Sequence, residues 1–298
     1  MIELGKINSL EVSRIGPYGT YLDGGEAGEV LLLRSRSVES PEHRRTGSSS
    51  AQAPLSVPRK ESKVGDKLTV FVYIDSDDTL VASINQPLVV ADECAALKVV
   101  ALTDHGAFLD WGLSSDLFVP RSEQLGDMSI GSVCVVLAML DEISQRMIAS
   151  AKLYHYLPDE DNGTFKPGQK VKLLVCQQTD LGYKAVIDGT HLGMIFQNEV
   201  FTDLKIGDVR DGYIKAVRED GKIDLLLQKS GAAARDDLEA QVLAYLKDNN
   251  GTSTLTDKSP PQEIYNTFGV SKKAYKKALG GLYRNRLIVL SKDKVELV

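Results

Sequence analysis

The stretch KIGDVRDGYIKAVREDGKIDLLLQ, Lys205 to Gln228, opens on a turn glycine, Gly207, alternates apolar and polar residues as far as Val217, bends at Arg218-Glu219-Asp220-Gly221 and resumes as a strand. Alternation with period two marks a half-buried strand, and an acidic, glycine-closed tetrad marks a tight turn, so the stretch reads as a β-hairpin. Two others match it: KVGDKLTVFVYIDSDDTLVAS from Lys63, opening on Gly65, and SIGSVCVVLAMLDEISQRMIAS from Ser129, opening on Gly131. A hairpin written three times at domain-sized intervals indicates an internal repeat.

Upstream of each hairpin stands a second echo: SRIGPYGTYLDGG, LTDHGAFLDWG and QTDLGYKAVIDG. Its central glycine precedes the hairpin glycine by 25 residues in copy two (Gly106 to Gly131), by 25 in copy three (Gly182 to Gly207) and by 46 in copy one (Gly19 to Gly65). The 21 extra residues of copy one fall in RSRSVESPEHRRTGSSSAQAPLSVPRK. That Ser/Pro/Arg-rich run has little to bury and is expected to form a mobile loop over about 35–60. Without it, each unit holds roughly five short strands with glycine at the bends. An open sheet so short would leave costly edges, so closed barrels of the five-stranded OB type are expected.

After Gln228 the period changes. DDLEAQVLAYLKDNNG places Leu238, Val242, Leu243, Tyr245 and Leu246 at helical spacing before an Asn-Asn-Gly stop. The rest reads as a helix, a turn at Phe268-Gly269, a helix capped by Ser271 and a hairpin folded at Lys292-Asp293, the order of a winged helix.

Composition bounds the function. With 43% hydrophobic and 26% charged residues in 298, the chain can bury several cores. Its first segment is interrupted by Glu3, Lys6, Glu11 and Arg14, and no uncharged apolar run is long enough to span a bilayer; a soluble, cytoplasmic protein without membrane association is expected. Cys94, Cys134 and Cys176 are dispersed and the four histidines lack ligand spacing, so neither disulfides, metal nor cofactor is expected. No phosphate loop, nucleophile elbow or His/carboxylate cluster emerges, and a non-enzymatic role is expected. The net charge of −6 hides an asymmetry: residues 271–298 carry eight Lys and Arg against Asp293 and Glu296, a local +6, leaving −12 elsewhere. Local charge, not the sum, sets affinity for phosphates.

The glycine-centred aromatic segment followed by a D-x-x-G-[KR] hairpin resembles the S1 RNA-binding domain, a member of the OB fold. Three such units ahead of a winged helix, with REDGKIDLLLQ and the basic tail, resemble the conserved virulence factor B family along the whole chain. The resemblance implies a mainly β architecture: S1-like OB barrels over 1–87, 88–157 and 158–230, then an α+β winged-helix domain over 232–298. It also implies RNA binding and regulation of gene expression without catalysis.

On a barrel face an exposed ring stacks any base while nearby cations hold phosphates. Copy one supplies Tyr18 and Tyr21, copy two His105 and Phe108, pairs of rings straddling a glycine; the competing reading packs such rings in the core, and for Phe118, flanked by Leu117 and Val119, the core is favoured. In copy three Leu181 and Lys184 replace the rings, so action by charge is expected through Lys184, Lys215, Arg218 and Lys222, although Tyr183, Phe196 and His191 stand near in sequence. The family motif places a basic residue on the last hairpin: Arg146 in copy two, Lys222 in copy three, but Thr79 among Asp75, Asp77 and Asp78 in copy one. Copy one is then the weakest phosphate binder unless Arg34, Arg36, Arg44 and Arg45 of its inserted loop compensate; a solvated surface is the favoured reading of those arginines. In the winged helix, Lys272, Lys273, Lys276 and Lys277 share one helical arc opposite the packing residues, extended by Arg284, Arg286, Lys292 and Lys294. Single-stranded RNA is the expected partner, with duplex DNA read by the winged helix, or protein partners of the acidic barrels, as the alternatives.

Overall fold

A computed structural model describes residues 1–17, 19–33, 62–200, 203–228 and 232–298. Tyr18, the loop expected over about 35–60 and Arg34, Arg36, Arg44 and Arg45 lie outside the described residues. The chain divides into two compact units, Met1–Leu153 and Tyr154–Val298.

The first unit holds two closed barrels. Strands β1 (Lys6–Gly16), β2 (Gly19–Asp23), β3 (Glu29–Leu32), β4 (Lys67–Ile74) and β5 (Leu80–Ser83) close in the order β1-β2-β3-β5-β4. Strands β6 (Cys94–Leu102), β7 (Gly106–Asp110), β8 (Leu117–Pro120), β9 (Val133–Leu140) and β10 (Met147–Ser150) repeat that circuit. The second unit begins with the third barrel: β11 (Lys170–Thr179), β12 (Gly182–Ile187), β13 (His191–Phe196), β14 (Val209–Val217) and β15 (Ile223–Leu226). In every copy the long first strand carries a register shift at the same place, between Val12 and Arg14, Val99 and Ala101, and Val175 and Gln177. Such a bulge bends the strand so that it pairs with both neighbours, which is how five short strands close a barrel.

Alternation fills each interior: Val12, Leu22, Val30 and Val70 in the first barrel, Val99, Leu109, Leu117 and Val119 in the second, Leu173, Ile187, Ile195 and Leu225 in the third are buried. Barrels one and two also share a core. Trp111, just after β7 and 2% exposed, packs edge-on against Phe71 at 5.5 Å and Tyr73 at 6.1 Å, both from β4. Ala91 N–H donates to Gly5 O at 2.8 Å, and the Lys6 side chain pairs with Asp92 at 3.0 Å, tying the same two barrels through backbone and side chain.

The remaining elements are α1 (Ala232–Asp248), β16 (Thr252–Ser253), α2 (Pro261–Phe268), α3 (Lys272–Arg284), β17 (Ile288–Leu290) and β18 (Val295–Leu297), with sheet order β16-β18-β17. This is the winged helix read from the sequence. Gly269 ends α2 in the left-handed region, at φ 65°, its N–H on Tyr265 O, and Ser271 caps α3 by accepting from Ala274 N–H at 3.1 Å. Tyr275 is buried beneath Phe268, ring on ring at 5.0 Å, and donates its hydroxyl to Leu255 O at 2.9 Å; burial pushes that hydroxyl up to about 12, so it stays a neutral donor.

Candidate nucleic-acid interface

The sheet registers align the three copies rung by rung. Arg14, Tyr21 and Leu31 lie across the outer face of barrel one; Ala101, Phe108, Phe118 and Ile148 across barrel two; Gln177, Lys184, Met194 and Asp224 across barrel three. Tyr21, Phe108 and Lys184 therefore occupy one equivalent position, and each is half-buried.

In barrel two the ring neighbour of Phe108 is Phe118, with centroids 5.1 Å apart and planes tilted by 43°. Phe118 is half-exposed, not part of the core, which corrects the reading from its apolar neighbours. Leu117 and Val119 are the buried residues, and with period two the residue between them must point outward. Gly106 has its own reason: a Cβ there would come within 2.7 Å of the Phe118 ring and 2.2 Å of Val119 O, so only glycine lets the ring lie across it. His105 is exposed in the turn before β7, where its carbonyl accepts from Arg121 N–H at 2.9 Å. Arg121, a cation sequence reading did not select, opens beside Gly106 onto a surface cleft.

Barrel one covers its own ring. The Arg14 guanidinium sits 3.6 Å above the Tyr21 ring and is clamped by Glu29, Nη2 to Oε2 at 2.7 Å; that carboxylate raises the Arg14 pKa and its own is lowered in return. One ring face is thus occupied by a planar cation.

Barrel three has a ring after all, one rung along. Phe196 pairs with Gly182, is half-exposed, and has the Arg218 guanidinium 5.3 Å from its centre. Asp224 holds that guanidinium, Nη2 to Oδ1 at 2.7 Å. Phe196, Arg218, Asp224, Lys184, Lys222 and Met194 line a cleft of about 240 Å3. Among the described residues, Lys184 Nζ and Lys222 Nζ have no hydrogen-bond or ion-pair partner, whereas Lys215 is engaged by Glu199 at 2.8 Å. Tyr183 is buried and His191 stands edge-on to Phe165, so neither belongs to this face. Phe196 could have been found by extending alternation one step past Met194.

Arg146 is spoken for. Its Nη2 donates to Asp78 Oδ1 at 2.6 Å and Ser76 O at 2.8 Å, joining the β9–β10 turn of barrel two to the β4–β5 turn of barrel one. Two of the aspartates of copy one are therefore structural: Asp78 takes Arg146, and Asp75 Oδ1 accepts from Asp77 and Thr79 N–H.

On α3, Lys273, Lys276 and Lys277 are exposed, and Lys276 lies 3.6 Å from Asp257; Lys272 is half-buried with its Nζ on Lys258 O. Arg284 Nε donates to Gly280 O, Arg286 and Lys292 are exposed, and Lys294 pairs with Glu296 at 2.7 Å. No group of three or more His, Cys, Asp or Glu is placed to hold a metal ion among the described residues. The cysteines form no disulfide, and burial pushes the Cys94 and Cys134 thiols up to about 11, unfit for nucleophilic work at neutral pH. No helix among the described residues is long and apolar enough to cross a membrane.

Five-stranded barrels with rings and cations on their outer faces, followed by a basic winged helix, define a multi-module protein of the nucleic-acid-binding class. Residues 240–297 match the CvfB-like winged helix domain, and residues 55–85 match the S1 domain. Conserved virulence factor B of Staphylococcus aureus and of Staphylococcus epidermidis are each 23% identical over 99% of this chain and 94% of their own. Protein YitL of Bacillus subtilis, described as uncharacterised, is 26% identical over 94% of this chain and 89% of its own. Over nearly its whole length the chain is thus similar to conserved virulence factor B proteins, and residues 240–297 carry a CvfB-like winged helix domain. A crystal structure of a multidomain protein with nucleic acid binding domains from Streptococcus pneumoniae aligns over 99% of this chain and 98% of that one, with 21% identity and a TM-score of 0.41.

Proposed function

We propose that the protein is a non-catalytic, cytoplasmic regulator of gene expression that binds single-stranded RNA, with modules bounded near residues 87, 157 and 230. The observation that carries this reading is the half-exposed ring on equivalent outer faces: Phe108 with Phe118 in barrel two, and Phe196 beside Arg218 in barrel three. A ring left half in water on a barrel face adds little to the fold, but offers a π-surface to any unpaired base, with Lys184 and Lys222 in reach of its phosphates. Duplex DNA keeps its bases stacked and cannot use such rings. Tandem weak sites joined in one chain bind the same strand with raised effective concentration, so no barrel need bind tightly alone. Barrel one contributes least, because Arg14 occupies its ring.

The test is fluorescence anisotropy of the full chain with labelled single-stranded RNA across a salt series, competed by duplex DNA of equal length. Micromolar or tighter RNA binding that weakens with salt and resists the duplex supports the reading. Equal or tighter duplex binding moves the function to the winged helix, and binding to neither removes nucleic acid from it.

A further inference from the structure

Two positions at the C-terminal end of α3 hold residues that the fold itself does not favour. Gly280 sits inside the helix, where glycine is worse than alanine, and a Cβ built on it meets nothing within 4 Å. Its neighbour Gly281 has a packing reason, since a Cβ there would fall 2.0 Å from Glu239 Oε1; Gly280 has none. Arg286 is the opposite case. Arg286 N–H bonds Tyr283 O and Leu287 N–H bonds Leu282 O, both at 3.0 Å, which closes the helix with Arg286 at the left-handed position, φ 57°, where glycine is the usual occupant. Exchanging either residue for the favoured one would strengthen the helix.

Between them stands Tyr283, 55% exposed. A long side chain on a helix leans toward the N-terminus, over residues three and four before it, a direction that takes the Tyr283 side chain toward the Gly280 side of the helix. No atom of the Tyr283 ring stands within 4 Å of the place a Cβ at 280 would take, which leaves open space beside the helix backbone there. Lys276, Lys277 and Arg284 lie on the same helical arc, and Arg286 follows directly, so the exposed ring is surrounded by cations.

We propose that Tyr283 and the notch at Gly280 form a stacking site for one unpaired base, whose flanking phosphates are held by Lys276, Lys277, Arg284 and Arg286. The inference rests on the single-stranded RNA reading above and deepens it: the winged helix takes a single strand by its exposed ring rather than entering a duplex groove. Open space at 280 admits the base edge close to the helix backbone, and the arginine at 286 gives a phosphate donor in place of the more stable glycine.

The experiment uses the full chain and labelled oligouridylate, with wild type, Tyr283→Ala, Tyr283→Phe, Gly280→Ala and Arg286→Gly. Loss of one stacked base predicts about fivefold or greater weakening for Tyr283→Ala, with Tyr283→Phe near wild type. Gly280→Ala and Arg286→Gly should each raise the unfolding midpoint by about 1–4 °C while weakening RNA binding, a combination that damage to the fold does not produce. Photocrosslinking with thiouridine-substituted strand should label the tryptic peptide Ala278–Arg284. Wild type that binds no single strand overturns the function reading itself. Wild type that binds, with Tyr283→Ala equally tight and Ala278–Arg284 unlabelled, overturns this site and leaves that reading standing. A loss confined to duplex DNA also overturns it.

Discussion

Trp111 is the chain's single tryptophan and the joint between the first two barrels, so Trp111→Ala tests whether they are one cooperative body. The indole is 2% exposed, meets Phe71 and Tyr73 edge-on, and donates Nε1–H to Ser115 O at 2.5 Å. Truncating a buried aromatic to alanine costs about 3–5 kcal/mol, of which each edge contact supplies about 0.5–1.5 kcal/mol. For a unit of this size that is a fall of roughly 6–20 °C in unfolding midpoint. Because the substitution removes the fluorophore, unfolding is followed by circular dichroism, with Trp111→Phe as the milder control. The transition of the first unit should shift down and broaden or split as the barrels melt apart. A loss under about 1 kcal/mol would refute the shared core, since surface substitutions fall within that range.

The Phe108→Ala, Phe118→Ala double variant should weaken single-stranded RNA binding about fivefold or more while its melting midpoint falls far less than that of Trp111→Ala, because both rings are half in solvent; anisotropy and melting on one preparation decide. A double-mutant cycle on Arg146 and Asp78 should give a coupling of about 0.2–1 kcal/mol in urea unfolding, as for a partly exposed pair, with RNA affinity little changed by Arg146→Ala; a large loss of affinity would return Arg146 to phosphate binding. Lys170 and Lys172, at 2.8 and 2.5 Å, hold the Asp211 carboxyl down to about 2. A lowered folded-state pKa stabilises the protein above the unfolded value and the effect is lost as pH falls from about 4 to 2, so Asp211→Asn should be less stable than wild type at neutral pH and equal to it near pH 2. A gap independent of pH would contradict that pairing.

The barrels were legible because period two and a turn glycine recur three times, and local patterning suffices to specify a small closed sheet. The face was harder to read. Phe118 was misassigned by counting apolar neighbours, when alternation makes buried neighbours evidence for an outward ring. Phe196 went unselected because barrel three carries its ring one rung away from the motif position. Arg146 could not be assigned from sequence at all: its partner Asp78 is 68 residues away, and only the packing of two barrels brings them together. The lysines of α3 were visible by helical spacing, but Tyr283 was not, because an aromatic at helical spacing ordinarily packs and only its 55% exposure says otherwise.

Whether outward rings bind unpaired bases is decided by comparing full-chain affinity for a single-stranded oligoribonucleotide with that for its abasic counterpart, which keeps every phosphate. Removing the bases should weaken binding about fivefold or more at any one salt concentration, while the slope of affinity against salt is unchanged. Equal affinity for the two strands would contradict it, and would leave the protein a binder of phosphate alone.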